Sequence, residues 1–253
     1  METVQKISSN SPLLIDGDIL VWTEAAAIEF IVHWESDVHT LVCDFSELKQ
    51  RLDVRIISYI EKFDASEYTL CFSDPKHNFR SDFAPEYKAN RKLVRKPVSY
   101  RAAVEYCHEV WRGVTWANLE ADDVLGILGT RYPKSVVISS DKDTGTVPCN
   151  WWNPRLDQDE VRVITPEQAN YNHLLQTLTG DRTDNYTGIP GCGPRSAEKI
   201  LNVGVGWDVV VRAYEKAGLS EDDALLNARC ARICRDGDYN AAKGKVKIWE
   251  PDR

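Results

Sequence analysis

PLLIDGD, residues 12–18, reads as the end of a strand. Pro12-Leu13-Leu14-Ile15 is an unbroken apolar run, the pattern of a strand covered on both faces as in a parallel sheet, and Asp16 and Asp18 then stand at its C-terminal tip. The theme returns twice. Tyr68–Phe72 is an apolar run that ends just before Asp74, and residues 135–140 (SVVISS) end just before Asp141 and Asp143, which flank Lys142. Helical stretches separate these strands: one runs from Leu20 to about Trp34, and a second from Ser46 places Leu48, Leu52, Ile56, Ile57 and Ile60 on one side. Such alternation predicts an α/β fold, a doubly wound and mainly parallel sheet with helices on both faces and ligands gathered at the strand C-termini.

Further strands are expected at Leu41–Phe45, Gly113–Trp116 and Val161–Ile164. In LEADDVLGILGTRY, Glu120, Asp122 and Asp123 crowd the first turn of a helix whose apolar face is Val124, Leu125, Ile127 and Leu128. Acids at a helix start favour the dipole, but three in four residues exceed what capping needs. Thr165-Pro166-Glu167-Gln168 opens another helix with a capping threonine and a first-turn proline, and carries Leu174, Leu175 and Leu178 towards Asp181. There the chain reads LTGDRTDNYTGIPGCGPRSAEKIL, residues 178–201. Asp181 and Asp184 precede a glycine-rich turn, Gly188 to Gly193, and Pro194 suits the first position of the next helix. Bare amides at a helix start can hold a phosphate, or the segment can be a tight loop between two core helices. Helices are also expected over Trp207–Ala217 and from Ser220 to about Cys234. The organisation expected is an α/β body over residues 1–164 and a helical lobe over 165–253.

The composition, 43% hydrophobic and 28% charged, is that of a folded soluble chain. No apolar run is long enough for a membrane span, and the N-terminus has neither the basic head nor the apolar core of a signal peptide, so a cytoplasmic location is expected, the host cytoplasm if the protein is viral. Seven scattered cysteines with no Cys-x-x-Cys pair read as reduced structural thiols, not a zinc site. A net charge of −8 argues at first against a polyanionic partner. Its distribution says more. Between Lys76 and Arg101 the cations Lys76, Arg80, Lys88, Arg91, Lys92, Arg95, Lys96 and Arg101 face only Asp82 and Glu86, with Phe79, Phe83, Tyr87 and Tyr100 interleaved. This is either a solvated surface excursion or a surface for nucleic-acid backbone and unstacked bases.

The acids at strand tips and helix starts would share one edge of a doubly wound sheet. So many carboxylates cannot stay ionised together unless cations neutralise them, and oxygen donors select Mg²⁺ or Mn²⁺. Two such ions, roughly 3.5–4 Å apart, are the arrangement for in-line hydrolysis of a phosphodiester.

FSDPKHNFRSDFAPEYKANRK, LEADD, SSDKD and GDRTDNYTGIPGCGPRSAEKIL together resemble the flap endonuclease and 5′→3′ exonuclease family, especially the bacteriophage 5′-exonucleases. The resemblance spans about Leu13 to Leu201, and the closing ALLNARCARICRDGDY and KIWEP resemble phage gene-six-type exonucleases more weakly. It implies a metal-dependent 5′→3′ exonuclease or flap endonuclease acting on double-stranded and 5′-flap DNA and leaving 5′-phosphates, working as a monomer without a nucleotide cofactor. By position, Asp16, Asp74, Glu120 and Asp122 would hold one Mg²⁺ (or Mn²⁺), and Asp141, Asp143 and Asp184, with Asp181 through water, the second. Asp123 is added to the metal set as the neighbour of Asp122. The resemblance makes Lys88 and Arg91 the catalytic pair on the scissile phosphate, at the base of a basic helical arch or clamp over residues 76–101, with Tyr87 stacking on the terminal base. It makes residues 180–201 a helix-hairpin-helix, so that Arg80, Arg95, Gly188, Gly191, Gly193, Arg195, Ser196 and Lys199 contact DNA and loop carbonyls can take a K⁺ ion. A DNA-binding module without turnover and a related ribonuclease are the alternatives.

Overall fold

The structure, a computed structural model, describes residues 3–6, 10–157 and 159–252. Strand β1 (Thr3–Lys6) precedes β2 (Leu13–Asp16), which passes directly into α1 (Gly17–Ile28). A hairpin of β3 (Phe30–His33) and β4 (His39–Val42) forms a separate two-stranded sheet before α2 (Phe45–Lys62). Then follow β5 (Tyr68–Phe72), α3 (Tyr100–Val110), β6 (Gly113–Thr115), α4 (Ala121–Arg131), β7 (Val136–Ile138), β8 (Cys149–Trp152) and β9 (Glu160–Ile164). Four helices come next, α5 (Pro166–Thr179), α6 (Pro194–Leu201), α7 (Trp207–Lys216) and α8 (Glu221–Ala231), and a small ribbon of β10 (Tyr239–Asn240) and β11 (Lys245–Val246) closes the described chain.

The main sheet has the order β1-β9-β8-β7-β2-β5-β6. Strands β8, β7, β2, β5 and β6 are parallel, while at one edge the reversed β9 pairs antiparallel with both β8 and β1. Helices cover both faces, as the alternation of residues along each central strand requires. Leu13, Ile15, Leu70, Phe72, Val136 and Ile138 face α1, α2 and α3, whereas Leu14, Cys71 and Val137 face α4. The three apolar residues of β2, and the Asp16 that ends it, are therefore all buried. The chain builds outward from β2 through β5 to β6, then returns to lay β7 on the other side of β2. The switch point between β2 and β7 is where a doubly wound sheet leaves a crevice at its strand ends.

Two local expectations need correction. The first helix stops at Ile28, because Glu29 is extended and the β-branched and aromatic run Phe30-Ile31-Val32 pairs with Thr40-Leu41-Val42. The strand foreseen at Leu41–Phe45 belongs to that hairpin and not to the main sheet. Trp151 and Trp152 lie in β8, each 6% exposed, with Trp152 edge-on to Tyr59 and Phe63. Within residues 76–101 the helical parts are two short 3₁₀ turns, Phe79–Asp82 and Ala89–Leu93, ahead of α3. A third apolar cluster, with Leu178, Ile189, Leu201, Val210 and Tyr214, ties α5, α6, α7 and α8 together.

Candidate active site

Asp16 ends β2 and caps α1, accepting the Ile19 amide at 3.0 Å and the Ser139 hydroxyl at 2.8 Å. It is buried, and burial with the charges of Asp18 and Asp141 pushes its carboxyl up to about 7. Asp18, the second residue of α1, accepts the Tyr100 hydroxyl at 2.7 Å and the Ser73 amide at 3.2 Å. Across the switch point, Ser139 also accepts the Asp141 amide, and Asp141 caps the short turn that carries Asp143. Burial and Asp141 push Asp143 up to about 7, opposed by Lys142 and a hydrogen bond from Gln176 of α5. Asp122, in the first turn of α4, is raised well above the carboxylate range by burial, Asp141 and Asp16. These acids therefore repel one another across a small buried volume.

Glu120 is the N-cap of α4 and meets cations instead. The Lys88 ammonium and the Arg80 guanidinium, at 3.2 Å, outweigh its burial and hold it at about 2. Lys88 sits in a left-handed conformation (φ 54°), which turns its side chain between Glu120 and Asp184, 3.4 Å from the latter. Arg91 takes the other oxygen of Asp184. Burial nevertheless leaves Asp184 above its ordinary value. Asp181 pairs with Lys142 at 3.0 Å and accepts the Thr183 amide, and these contacts overcome burial to lower it. The basic segment is docked on this turn: Lys88 N donates to Asp184 O at 2.8 Å, and the amides of Asn90 and Asn185 donate to carbonyls across the seam.

Side chains from five separated stretches of chain thus meet at the β2/β7 crevice. The donors are all oxygen, which suits a hard divalent cation, and burial first, with neighbouring carboxylates second, raises Asp16, Asp122 and Asp143. Gln176 adds a buried carboxamide oxygen without a partner among the described residues. The residues fit such an ion. As they stand, no three His, Cys, Asp or Glu side chains among the described residues enclose a metal position, and Lys88, Arg91 and Lys142 make the neutralising contacts.

A family model described as the 5′-3′ exonuclease N-terminal resolvase-like domain matches residues 13–170. The exodeoxyribonuclease of Enterobacteria phage T3 is 31% identical to this chain, covering 94% of it and 92% of the relative, and the exonuclease of Escherichia phage T7 is 31% identical with 94% and 93% covered. The chain belongs to the 5′-3′ exonuclease family. Its fold is also that of the bacteriophage T5 flap endonuclease solved with DNA and metal ions, with a TM-score of 0.66 at 18% identity over 88% of this chain and 89% of that one.

Not every acid and cation expected at the site of this 5′-3′ exonuclease is there. Asp123 is fully buried and forms a two-pronged ion pair with Arg80 at 2.7 and 2.8 Å, while also accepting the amides of Glu120 and Cys234. It faces away from Asp122 and is no metal ligand. Arg80, 2% exposed, is spent on Asp123, Glu120 and the carbonyls of Cys230 and Arg232, so it cannot reach DNA. The Tyr87 ring is buried against Tyr186 and its hydroxyl donates towards Glu120 and Asp184, which leaves no open face for a base. Asp74, just past the tip of β5 and next to Ser73, whose amide donates to Asp18, accepts the amides of Lys76 and Asn118, which outweigh its partial burial and lower it. Gly188 is buried with its amide donated to Asn227, so it offers nothing to a phosphate. Gly191, Gly193, Arg195, Ser196 and Lys199 are exposed around the start of α6, and Arg95 is exposed but paired with Glu29.

Ser139, Lys142, Tyr100 and Gln176 are the site residues that sequence reasoning passed over. Ser139 and Lys142 lie within or beside a strand tip already recognised, which was the available signal. Tyr100 was read only as an aromatic of the basic segment, whereas its hydroxyl is held by Asp18, and Gln176 gave no signal, because a glutamine on an amphipathic helix looks like a surface residue.

Proposed function

We propose that the protein hydrolyses phosphodiester bonds near the 5′ end of duplex or 5′-flap DNA, as a monomer dependent on two Mg²⁺ (or Mn²⁺) ions, leaving 5′-phosphate products. The observation that carries this is the row of acids from β2, α4, the β7 turn and the Asp181–Asp184 turn, bordered by Lys88 and Arg91. Asp16, Asp74, Glu120 and Asp122 would hold one ion, and Asp141, Asp143 and Asp184, with Asp181 through water, the other. When bound, the ions supply a hydroxide nucleophile and stabilise the leaving oxygen.

The chain's own residues do the remainder. Ser139 and the Ile19 amide fix the Asp16 carboxylate, and Gln176 steadies Asp143. Lys88, kept protonated by Glu120 and Asp184 against its burial, offers a fixed positive charge to the phosphate as negative charge grows on it. Arg91, half exposed, can reach the same phosphate. The exposed turn at Gly191 and Gly193, with Arg195, Ser196 and Lys199, is placed to grip duplex backbone as a helix-hairpin-helix, and its carbonyls to share a K⁺ ion. The basic segment ahead of α3 acts as the clamp on the 5′ strand. The phage relatives fit a role in DNA replication or degradation in a host cytoplasm.

The test is product sizing on a 5′-labelled blunt duplex and a 5′-labelled flap, with and without Mg²⁺. Short 5′-labelled products that require the metal are expected. Binding without scission would leave only a DNA-structure binding module, and preference for an RNA strand would point to a ribonuclease.

A further inference from the structure

The crevice at the strand tips continues beyond Asp16. On the face of the sheet covered by α1 and α2, the ends of β2, β7 and β8 border a cleft of about 230 Å³. Asp16 stands in its wall, so it opens directly onto the acid row. No residue of the basic segment or of the helical lobe lines it. Asp143 feels the charges of Asp141 and of Asp181 in the lobe, Asp122 and Asp16 both feel Asp141, and of these acids Asp16 alone lines the cleft, which therefore opens at the Asp16 side of the cluster. Duplex held by the lobe would therefore bring its 5′-terminal nucleotide, once past the acids, to this cleft.

Its lining has the chemistry of an anion with an apolar body. Glu24, 3% exposed, is bonded by Arg55 of the lining and by Arg51 behind it, so this buried carboxylate is neutralised. Arg155 stands at the rim with an exposed side chain that has no hydrogen bond or ion pair among the described residues. The hydroxyls of Thr23 and Ser140 are likewise unspent among the described residues, and Tyr59 with neighbouring aliphatic carbons supplies an apolar wall. An arginine without a carboxylate partner beside hydroxyl donors suits a phosphate monoester. The volume is below the ~300–1,000 Å³ of sites for larger ligands, which limits the occupant to a single nucleotide.

We propose that this cleft is the subsite for the nucleotide on the 5′ side of the scissile bond, receiving the 5′-terminal nucleotide with its phosphate on Arg155 and retaining it briefly as a nucleoside 5′-monophosphate after cleavage. The proposal rests on the nuclease reading above and deepens it. Asp16 is shared by both sites, so departure of this product clears the acid row for the next turnover.

The test is equilibrium binding of radiolabelled deoxyadenosine 5′-monophosphate in Mg²⁺ buffer, beside deoxyadenosine and inorganic phosphate, to the wild type and to the variants Arg155→Ala and Thr23→Trp. Cleavage of 5′-labelled duplex is measured on the same wild-type preparation. Both positions are exposed on the surface, and matching melting curves check that the variants fold. The monophosphate should bind, the nucleoside and the free phosphate should each bind at least tenfold more weakly, and either variant should lose about tenfold, the size of one charge-assisted contact or of a blocked entrance. Equal binding by wild type and both variants would overturn the proposal. So would inorganic phosphate binding as tightly as the nucleotide, which would reduce the cleft to a general anion site. A wild type that binds the monophosphate in this variant-sensitive way but never cleaves duplex would sink the nuclease reading and leave the nucleotide site standing.

Discussion

Asp122 and Asp123 are adjacent in the first turn of α4, and their surroundings make opposite demands on a negative charge. Asp122 is raised by burial and by Asp141 and Asp16, so its ionised form is resisted by the fold. Asp123 has Arg80 on both oxygens, and Arg80 is itself buried. Asp122→Asn should therefore raise the melting temperature in chelator, by ~2–4 °C for each kcal/mol of repulsion relieved, while abolishing cleavage. Asp123→Asn breaks a buried pair and should cost about 3–5 kcal/mol, read as a lower denaturant midpoint with loss of activity only through unfolding. If the two variants melted alike, the division between site acid and structural acid would be wrong. Lys88→Ala belongs at the same scale. Glu120 and Asp184 would lose their shared cation, and cleavage should fall by about 10²–10³ for loss of one transition-state contact, with duplex affinity nearly kept. A Lys88→Ala enzyme with wild-type turnover would remove Lys88 from the mechanism.

The turn between α5 and α6 shows how one element divides its glycines between folding and exposure. Gly180 (φ 68°) and Gly188 (φ 59°) press backbone to backbone, and a Cβ on Gly188 would overlap the Gly180 amide and the Thr179 carbonyl carbon. Gly191 has φ 76° but open space around it. Gly188→Ala should therefore cost well over the ~1–2 kcal/mol of a left-handed L-residue, whereas Gly191→Ala should cost about that amount and no more; urea midpoints of the two variants compare them. Similar midpoints would mean that the close approach is not there. The glycine pattern was legible as a turn, but which glycine is buried was not, since that depends on Gly180 and Asn227 meeting Gly188 from distant positions. The same limit runs through the site. Strand tips at Asp16, Asp141 and Asp143 could be read from continuous apolar runs, and the helix starts at Glu120 and Thr165 from capping patterns. The partner of Asp123 and the burial of Arg80 could not, because both follow from the packing of residues 79–83 against residues 230–234, more than a hundred positions away. The β3–β4 hairpin was missed for a local reason: its hydrophobic residues continue those of α1 without a turn signal until Glu35-Ser36-Asp37.

For the whole molecule, the fold gathers acids that are far apart in sequence into one crevice, and that has a cost which varies with pH. Asp16 and Asp143 titrate at about 7 in the folded protein, far above an ordinary aspartate, so the native state binds more protons than the unfolded chain between about pH 4 and 7. Their contribution to stability is complete below the unfolded value and is lost as pH rises through 7. Two other buried groups act elsewhere on the scale. Glu120, held at about 2, contributes stability that is lost only as pH falls below its ordinary value, and His173, lowered to about 3 by burial, contributes stability that is lost only as pH falls below 6.5. Above about pH 6.5 the crowded aspartates are thus the groups that set the slope. In chelator, stability should fall by on the order of 1–3 kcal/mol between pH 6.5 and 8, several degrees of melting temperature. Divalent cations replace the missing protons, and because they compete with protons for the same oxygens, their stabilisation should be larger at pH 8 than at pH 6.5 and should flatten the slope. Thermal melts at the two pH values, each with chelator and with Mg²⁺, measure all of this. A chelator curve that rises across the window, or an equal Mg²⁺ shift at both ends, would mean that the strand-tip acids do not share one volume.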